Sequence, residues 1–134
     1  MEEPPNPSVY VSVPPRTEFL ALLRTVTGGV ATRMQLPLDA IDDLRLAVDE
    51  AVAFLLTADG DAVRVEMRLD PDETALAATI SMDSKIAAWP PPGYQETLPW
   101  QIISGLTDGA SAVRSDRGAP MITFTKRTLD LQKP

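Results

Sequence analysis

The chain has no cysteine and no histidine among its 134 residues. Their absence excludes disulfides, thiol nucleophiles, imidazole bases and most zinc sites. Any chemistry must therefore use carboxylates, hydroxyls or lysines, and the sequence predicts no metal site. Aromatic residues are scarce, at 5% of the chain, and the two tryptophans, Trp89 and Trp100, are expected to anchor either the core or an interface.

Positive charge is also in short supply, with 12 lysines and arginines against 19 acidic residues and a net charge of -7. A protein that binds a nucleic-acid backbone or an anionic membrane needs clustered basic residues. We therefore expect neither nucleic acid nor membrane as a partner. The first residues, MEEPPNPS, hold no basic region and no long apolar run, so they predict neither a signal peptide nor a membrane anchor, and we expect a cytoplasmic protein.

A chain of 134 residues suits a single domain with its own core. We place that domain at residues 8–128, after a proline-rich lead at 1–7 that is expected to be disordered and before a polar tail at 129–134. No internal repeat interrupts it.

The longest segment with a helical apolar period runs from Leu38 to Leu56. Its apolar residues recur at steps of three and four, while its acidic residues fall on the other side, which predicts an amphipathic helix with one buried stripe. Asp39 is expected to cap its start, and Asp59-Gly60-Asp61 is expected to end it.

Glu50 lies within this helix, grouped on the helical wheel with Ala47 and Phe54 at the edge of the apolar stripe. Glutamate side chains are mostly exposed in folded proteins, which favours a solvated side chain at this position. The functional interpretation is an acid at the lip of a pocket, able to take a proton or to hold water near a metal.

The remaining patterns predict alternating strands and two further helices. Thr17 is expected to cap the first helix, and Gly28-Gly29 predicts a bend or a close backbone contact within it. A proline-rich loop is expected at 84–96. The predicted elements are a strand at 8–13, a helix from Thr17 to about Met34, a hairpin of 62–69 with 74–82, a helix at 98–107, and a hairpin of 111–114 with 121–126. This order predicts an α+β protein, a two-layer sandwich with helices on one face of a sheet.

Several stretches in order along the chain carry a further signal: Val13-Pro14, FLALLR at 19–24, GVATRM at 29–34, IDDLRLAVDEA at 41–51, ISGLTD at 103–108 and TFTKR at 123–127. They resemble the anti-sigma-factor serine kinases of the histidine-kinase-like ATPase superfamily. That family acts in partner-switching control of stress-response and sporulation sigma factors. The resemblance covers most of the chain and implies a histidine-kinase-like ATPase (Bergerat-type) fold, with a mixed, mostly antiparallel sheet and helices on one face.

The resemblance assigns nucleotide contacts to three motifs, and each of them is altered here. In the first, a glutamate and an asparagine four residues later share one helix face, with the asparagine beside Mg²⁺. Glu50 matches the glutamate, but Phe54 stands in the asparagine position. In the second, an aspartate that reads adenine precedes Gly-x-Gly; Asp83 is the candidate, and both glycines are missing from the Ser84-Lys85-Ile86-Ala87 that follows it.

The third motif is a glycine-rich start of the penultimate helix, where backbone N–H groups hold phosphate. This chain has TLPW at 97–100 instead, and Pro99 has no N–H to donate. Because each change removes a contact without an equivalent replacement, we expect weak or absent ATP binding and no cofactor.

The resemblance therefore implies an anti-sigma regulatory factor that sequesters a sigma factor and is released by an anti-anti-sigma antagonist of the STAS type. The alternative is an active serine/threonine kinase that phosphorylates its antagonist with ATP and Mg²⁺, in which Glu50 is catalytic and Asp49, Asp59 or Lys85 substitutes for the lost contacts. A third reading is a repurposed domain that binds another ligand or protein.

The resemblance also implies a homodimer and a partner-binding region on the first helix. Arg24 matches that region and is expected on the exposed side of the helix, where it could pair with carboxylates of the antagonist. An ordinary solvated arginine is the competing interpretation.

Overall fold

The computed structural model describes residues 7–58, 61–84 and 88–127. Within these ranges it contains five strands, three α-helices and one turn of 3-10 helix at Tyr94–Glu96. The strands are β1 (Val9–Val13), β2 (Val65–Pro71), β3 (Ala75–Met82), β4 (Gly109–Arg114) and β5 (Pro120–Arg127), and the helices are α1 (Thr17–Arg33), α2 (Leu38–Leu55) and α3 (Leu98–Leu106). The predicted order of elements is confirmed.

The five strands form one sheet in the order β1-β2-β3-β5-β4, and each neighbouring pair is antiparallel. The hairpin turn between β2 and β3 is built on Asp72, whose Oδ1 accepts the backbone N–H groups of Thr74 at 2.7 Å and Ala75 at 2.9 Å. These backbone hydrogen bonds lower the pKa of the Asp72 carboxyl, because they favour its charged form.

One face of the sheet carries the core. Alternate residues of β2 and β3 are buried, from Val65 to Leu69 and from Leu76 to Met82, which is the pattern of a sheet covered on one side. α1 packs on β2, and α2 packs on β3 and β5. The α+β class and the two-layer arrangement of helices on one sheet face are therefore confirmed.

Two predicted helix caps are wrong. Thr17 is the first residue of α1, and the capping position is held by Arg16 without a side-chain hydrogen bond. Pro37 holds the same position before α2. Asp39 lies in the first turn, where its negative charge interacts favourably with the helix dipole, but its side chain accepts no capping hydrogen bond. A capping residue must have extended backbone, and Pro37 already supplies it with a φ of -61° and a ψ of 154°.

α1 continues through Gly28 and Gly29 as one helix. Gly28 is buried, and a Cβ built on it would lie 3.4 Å from Cδ and Nε of Arg45. The predicted close contact is therefore made by the arginine side chain of α2 and not by another backbone. Gly29 is exposed, and a Cβ there would meet nothing within 4 Å.

Gly29→Ala should raise the free energy of unfolding by about 0.5–1 kcal/mol, because alanine restricts the unfolded chain and is the better helix former. Chemical denaturation measured by circular dichroism checks this. Gly93→Ala is the matched control: Gly93 has a φ of 73°, so alanine should destabilise the protein there. A loss of stability in Gly29→Ala would contradict the expectation.

The predicted lead at 1–7 and tail at 129–134 lie outside the described residues apart from Pro7, as does the helix stop at Asp59-Gly60. The structure therefore leaves those domain limits as predictions. None of the helices in the described ranges combines the length and the apolar character needed to cross a membrane.

Candidate functional site

Four aromatic side chains meet where α2, α3 and the loop before α3 come together. The ring of Phe54 lies 5.5 Å from that of Trp89 and 6.0 Å from that of Trp100. Tyr94 packs edge-on against Trp100 at 4.9 Å. We call these four residues the aromatic cluster. Phe54, Trp89 and Trp100 are each no more than 5% exposed, so the two tryptophans anchor the core.

The aromatic cluster also fixes the loop that precedes α3. Trp89 donates its indole N–H to the backbone oxygen of Val113 on β4 at 2.8 Å. A buried indole needs such an acceptor, since an unsatisfied N–H would cost free energy. The loop is thus held on one side by β4 and on the other by Phe54 of α2.

The first turn of α3 has few free donors. Pro99 lacks an N–H, the N–H of Trp100 reaches the Thr97 hydroxyl at 3.4 Å, and the N–H of Gln101 bonds the Thr97 carbonyl at 3.0 Å. Of the N–H groups that a helix N-terminus offers to an anion, one is therefore absent at Pro99 and that of Trp100 is taken up by the Thr97 hydroxyl.

Glu50 is half-buried on α2, between the buried Ala47 and Phe54 in the helical sequence. Among the described residues it has no hydrogen bond or ion pair. Within those residues there is likewise no group of three or more acidic side chains placed to hold a metal ion. The predicted nucleotide-binding and catalytic roles of Glu50 are untested by the structure and remain predictions.

Asp83 is exposed just after β3, and one of its oxygens is used to hold the start of β2. Oδ1 accepts the backbone N–H groups of Val63 and Arg64, each at 2.8 Å. This bonding gives the Asp83 carboxylate a structural role, and its predicted part in nucleotide binding stays a prediction. The sequence alone could not indicate it, because the two partners lie about twenty residues earlier in the chain.

Arg24 lies on α1 where that helix faces α2, and its guanidinium meets the Asp49 carboxylate at 2.8 Å. The side chains are 42% and 39% exposed, so the ion pair is open to solvent on one side. It borders a groove of about 290 Å³ that is mainly apolar, with Leu20, Val52 and Leu56 in its walls. We call this the α1/α2 groove.

Asp49 is the neighbour of Arg24 that sequence reasoning did not pair with it. The two residues are 25 positions apart, so no local spacing reveals their contact. The other two residues considered as substitutes for lost nucleotide contacts, Asp59 and Lys85, lie outside the described residues.

Lys126 makes a second cross-element contact that sequence reasoning missed. Its ammonium group donates to Asp43 of α2 at 3.1 Å and to the carbonyl of Leu106 at the end of α3 at 3.0 Å. A cation at that position satisfies the negative end of the helix dipole. The contact joins α2, α3 and β5.

The fold and the site define an α+β two-layer domain, consistent with the histidine-kinase-like ATPase sandwich, whose interhelical space holds aromatic side chains. No family model matches the chain. Over 112 residues the chain is 31% identical to the anti-sigma-F factor RsbW of Mycobacterium tuberculosis, in strains CDC 1551 / Oshkosh and ATCC 25618 / H37Rv.

This similarity extends over 82% of the chain. The chain spans 64% of the length of these relatives. The activity and the partners of the whole protein are therefore matters for proposal.

Proposed function

We propose that this protein is an anti-sigma factor that acts by sequestering a sigma factor, without binding ATP and without kinase activity. The similarity to the mycobacterial anti-sigma-F factor supports the first half of this proposal. The packing of Phe54 supports the second half and is the observation on which it depends.

In the resemblance to anti-sigma-factor kinases, residue 54 is where an asparagine would offer an oxygen to Mg²⁺. A phenylalanine offers no ligand, and its ring here is only 5% exposed between two tryptophans. A nucleotide in that space would have to displace the ring. Exposing a buried phenylalanine costs about 1.5–3 kcal/mol.

The start of α3 adds to this cost. Pro99 and Thr97 remove donors that a phosphate would need. Micromolar and millimolar affinity differ by only about 4 kcal/mol. Ring displacement, the missing Mg²⁺ ligand and the lost donors together would cost more than that difference, so we expect no saturable binding at millimolar ATP.

Titration of the protein with Mg-ATP tests this half of the proposal. A ligand present at about a hundred times its Kd stabilises the folded state by about 2.7 kcal/mol, which would raise Tm by several degrees. We expect a Tm change within about 1 °C at millimolar Mg-ATP, and no saturable heat in calorimetry. Mg²⁺ alone is the control.

The active-kinase alternative gives the opposite result. It requires a saturable, Mg²⁺-dependent Tm rise that is lost in Glu50→Ala, and transfer of phosphate to an antagonist. If nucleotide is not used, Glu50→Ala should leave sigma binding unchanged. The Tm response to Mg-ATP and the sigma binding of Glu50→Ala separate the two functions even when the antagonist has not been identified.

For the partner surface we propose the α1/α2 groove with Arg24 at its border. It combines apolar walls with an ion pair that is half-exposed, and apolar contact area with a charged rim is the usual make-up of a protein-binding surface. A carboxylate of the antagonist or of the sigma factor could compete with Asp49 for Arg24. The acidic net charge of -7 suits a protein that masks a basic, DNA-binding partner.

Co-purification tests the sequestration itself. The tagged chain should retain one of the sigma factors encoded in the same genome, and an unphosphorylated STAS-type antagonist should release it. If the folded protein retains no sigma factor, the proposal is wrong and a repurposed domain that binds another ligand or protein is favoured. The homodimer that the resemblance implies is also part of this proposal.

A further inference from the structure

The ion pair between Arg24 and Asp49 lies at one end of the α1/α2 groove. The groove runs from this pair toward the start of α1 and the end of α2, where Thr17 and Leu56 border it. Between the two ends its walls are made by apolar side chains of both helices, and Arg24 and Asp49 are the charged residues of its lining. The groove therefore offers space for an apolar side chain next to one arginine.

The contact between Arg24 and Asp49 is open to exchange. Among the described residues the Arg24 guanidinium makes one hydrogen bond, from Nη1 to Oδ2 of Asp49 at 2.8 Å. The side chains are 42% and 39% exposed, so solvent screens the pair. A carboxylate that met the guanidinium through both oxygens would form a stronger contact, because the fork of arginine N–H groups matches a bidentate acceptor. A partner carboxylate in that geometry can therefore displace Asp49.

Packing of α1 on α2 does not depend on this ion pair. Both helices contribute side chains to one hydrophobic core, and those that are no more than 1% exposed are Leu23 and Ala31 on α1 and Leu44, Ala47, Val48, Ala51 and Leu55 on α2. Burial of this kind stabilises the folded state far more than an ion pair that is open to water. An acid at position 49 is therefore not explained by helix packing.

Asp49 opposes the binding of another carboxylate to Arg24. A partner carboxylate must either take the place of Asp49 or bind beside it. The first route breaks the existing ion pair, and the second brings two like charges together, which costs free energy. By either route Asp49 lowers the affinity of the groove for a partner that offers a carboxylate.

The charges near the groove indicate the chemistry of its occupant. α2 exposes Asp39 and Asp42 earlier on the helix that carries Asp49. A second copy of this chain, with its net charge of -7, would bring like charges against them. A sigma factor binds DNA and so carries basic residues that complement them. The surface fits a sigma-factor segment that presents an apolar side chain to the groove, a carboxylate to Arg24 and basic residues toward the start of α2.

We propose that Asp49 masks Arg24 in the free protein by taking the place of a carboxylate of the sigma factor. When the sigma factor docks on the α1/α2 groove, its carboxylate replaces Asp49 at the guanidinium. Asp49 thus sets the affinity of the complex below the value that Arg24 alone would give. The inference rests on the proposed function and deepens it, since it names the chemistry of the docking segment and the residue that weakens its binding. It does not use the nucleotide argument.

Calorimetric titration of the full chain with the sigma factor retained in the co-purification tests the inference, with Asp49→Ala as the unmasking variant. We expect its Kd to be about 5-fold lower than that of the wild type, because both the competing ion pair and the like charge are removed. The matched control, Asp42→Ala, changes the net charge equally at an exposed position of α2 outside the groove lining. It should change Kd by less than about 2-fold. Urea denaturation of the same samples confirms that each variant is folded.

The same substitution in an Arg24→Ala background separates masking from other roles of Asp49. Masking acts only through Arg24, so Asp49→Ala should change Kd by less than about 2-fold in that background. Unchanged or weaker binding of Asp49→Ala, an equal gain in Asp42→Ala, or an equal gain without Arg24 would overturn the inference. Self-association of Asp49→Ala in sedimentation, measured without sigma factor, would also overturn it, since a second copy would then be the occupant.

Failure of this inference is distinguishable from failure of the proposed function. If the wild type retains no sigma factor, the proposed function is wrong, and the masking role is wrong with it. If the wild type binds a sigma factor and Asp49→Ala binds it no more tightly, the masking role alone is wrong.

Discussion

Replacing Phe54 by alanine should lower the free energy of unfolding by about 3–5 kcal/mol. The ring is only 5% exposed and packs against both Trp89 and Trp100, so its removal leaves a cavity beside the two tryptophans. Loss of the two ring contacts adds to the cost. Equilibrium denaturation in urea, monitored by tryptophan fluorescence, measures the change.

Leu46→Ala is the matched control for Phe54→Ala. Leu46 lies on the same helix but is 52% exposed, so its truncation should change stability by no more than about 0.5 kcal/mol. A domain of this size has a total stability of about 5–15 kcal/mol, and Phe54→Ala should therefore be near the limit of folding at 37 °C. Equal effects of the two substitutions would show that residue 54 does not hold α2, α3 and the loop together.

Arg24→Glu should weaken binding of the sigma factor or the antagonist by about 10–100-fold while changing stability by less than about 1 kcal/mol. Reversal of charge at the border of the α1/α2 groove repels a carboxylate of the partner. The ion pair with Asp49 contributes little to folding, because both side chains are about 40% exposed. Affinity is measured by calorimetry and stability by denaturation of the same samples.

The double variant Arg24→Glu/Asp49→Arg separates a partner contact from a structural one. It exchanges the two charges and keeps an ion pair between α1 and α2. If Arg24 contacts the partner directly, binding stays weak in the double variant. If Arg24 acts only by holding the helices, the exchange restores binding, and the assignment of Arg24 as a partner-binding residue is wrong.

The course of the helices and strands could be predicted from local pattern. The apolar period of α2 and the alternation in β2 and β3 each repeat over seven or more residues. A repeat of that length identifies one element type, because only that geometry brings all apolar side chains to one side. The caps were the exception, since Thr17 and Asp39 are favoured capping residues and neither caps.

The candidate site was less accessible to sequence reasoning. That residue 54 offers no oxygen ligand and residue 99 no backbone N–H could be read directly, because both follow from residue chemistry. Whether Trp89 and Trp100 belong to the core or to an interface could not, since their spacing is compatible with both. Their contacts with Phe54 decide for the core.

Residue order was thus enough to establish the α+β class and the direction of each apolar face, since these depend on neighbours within a few positions. Contacts between distant segments required the folded chain: Arg24 with Asp49, Asp83 with the start of β2, and Lys126 with Asp43 and Leu106. Such contacts depend on how whole elements pack, and a charged side chain can find any of several partners until packing selects one.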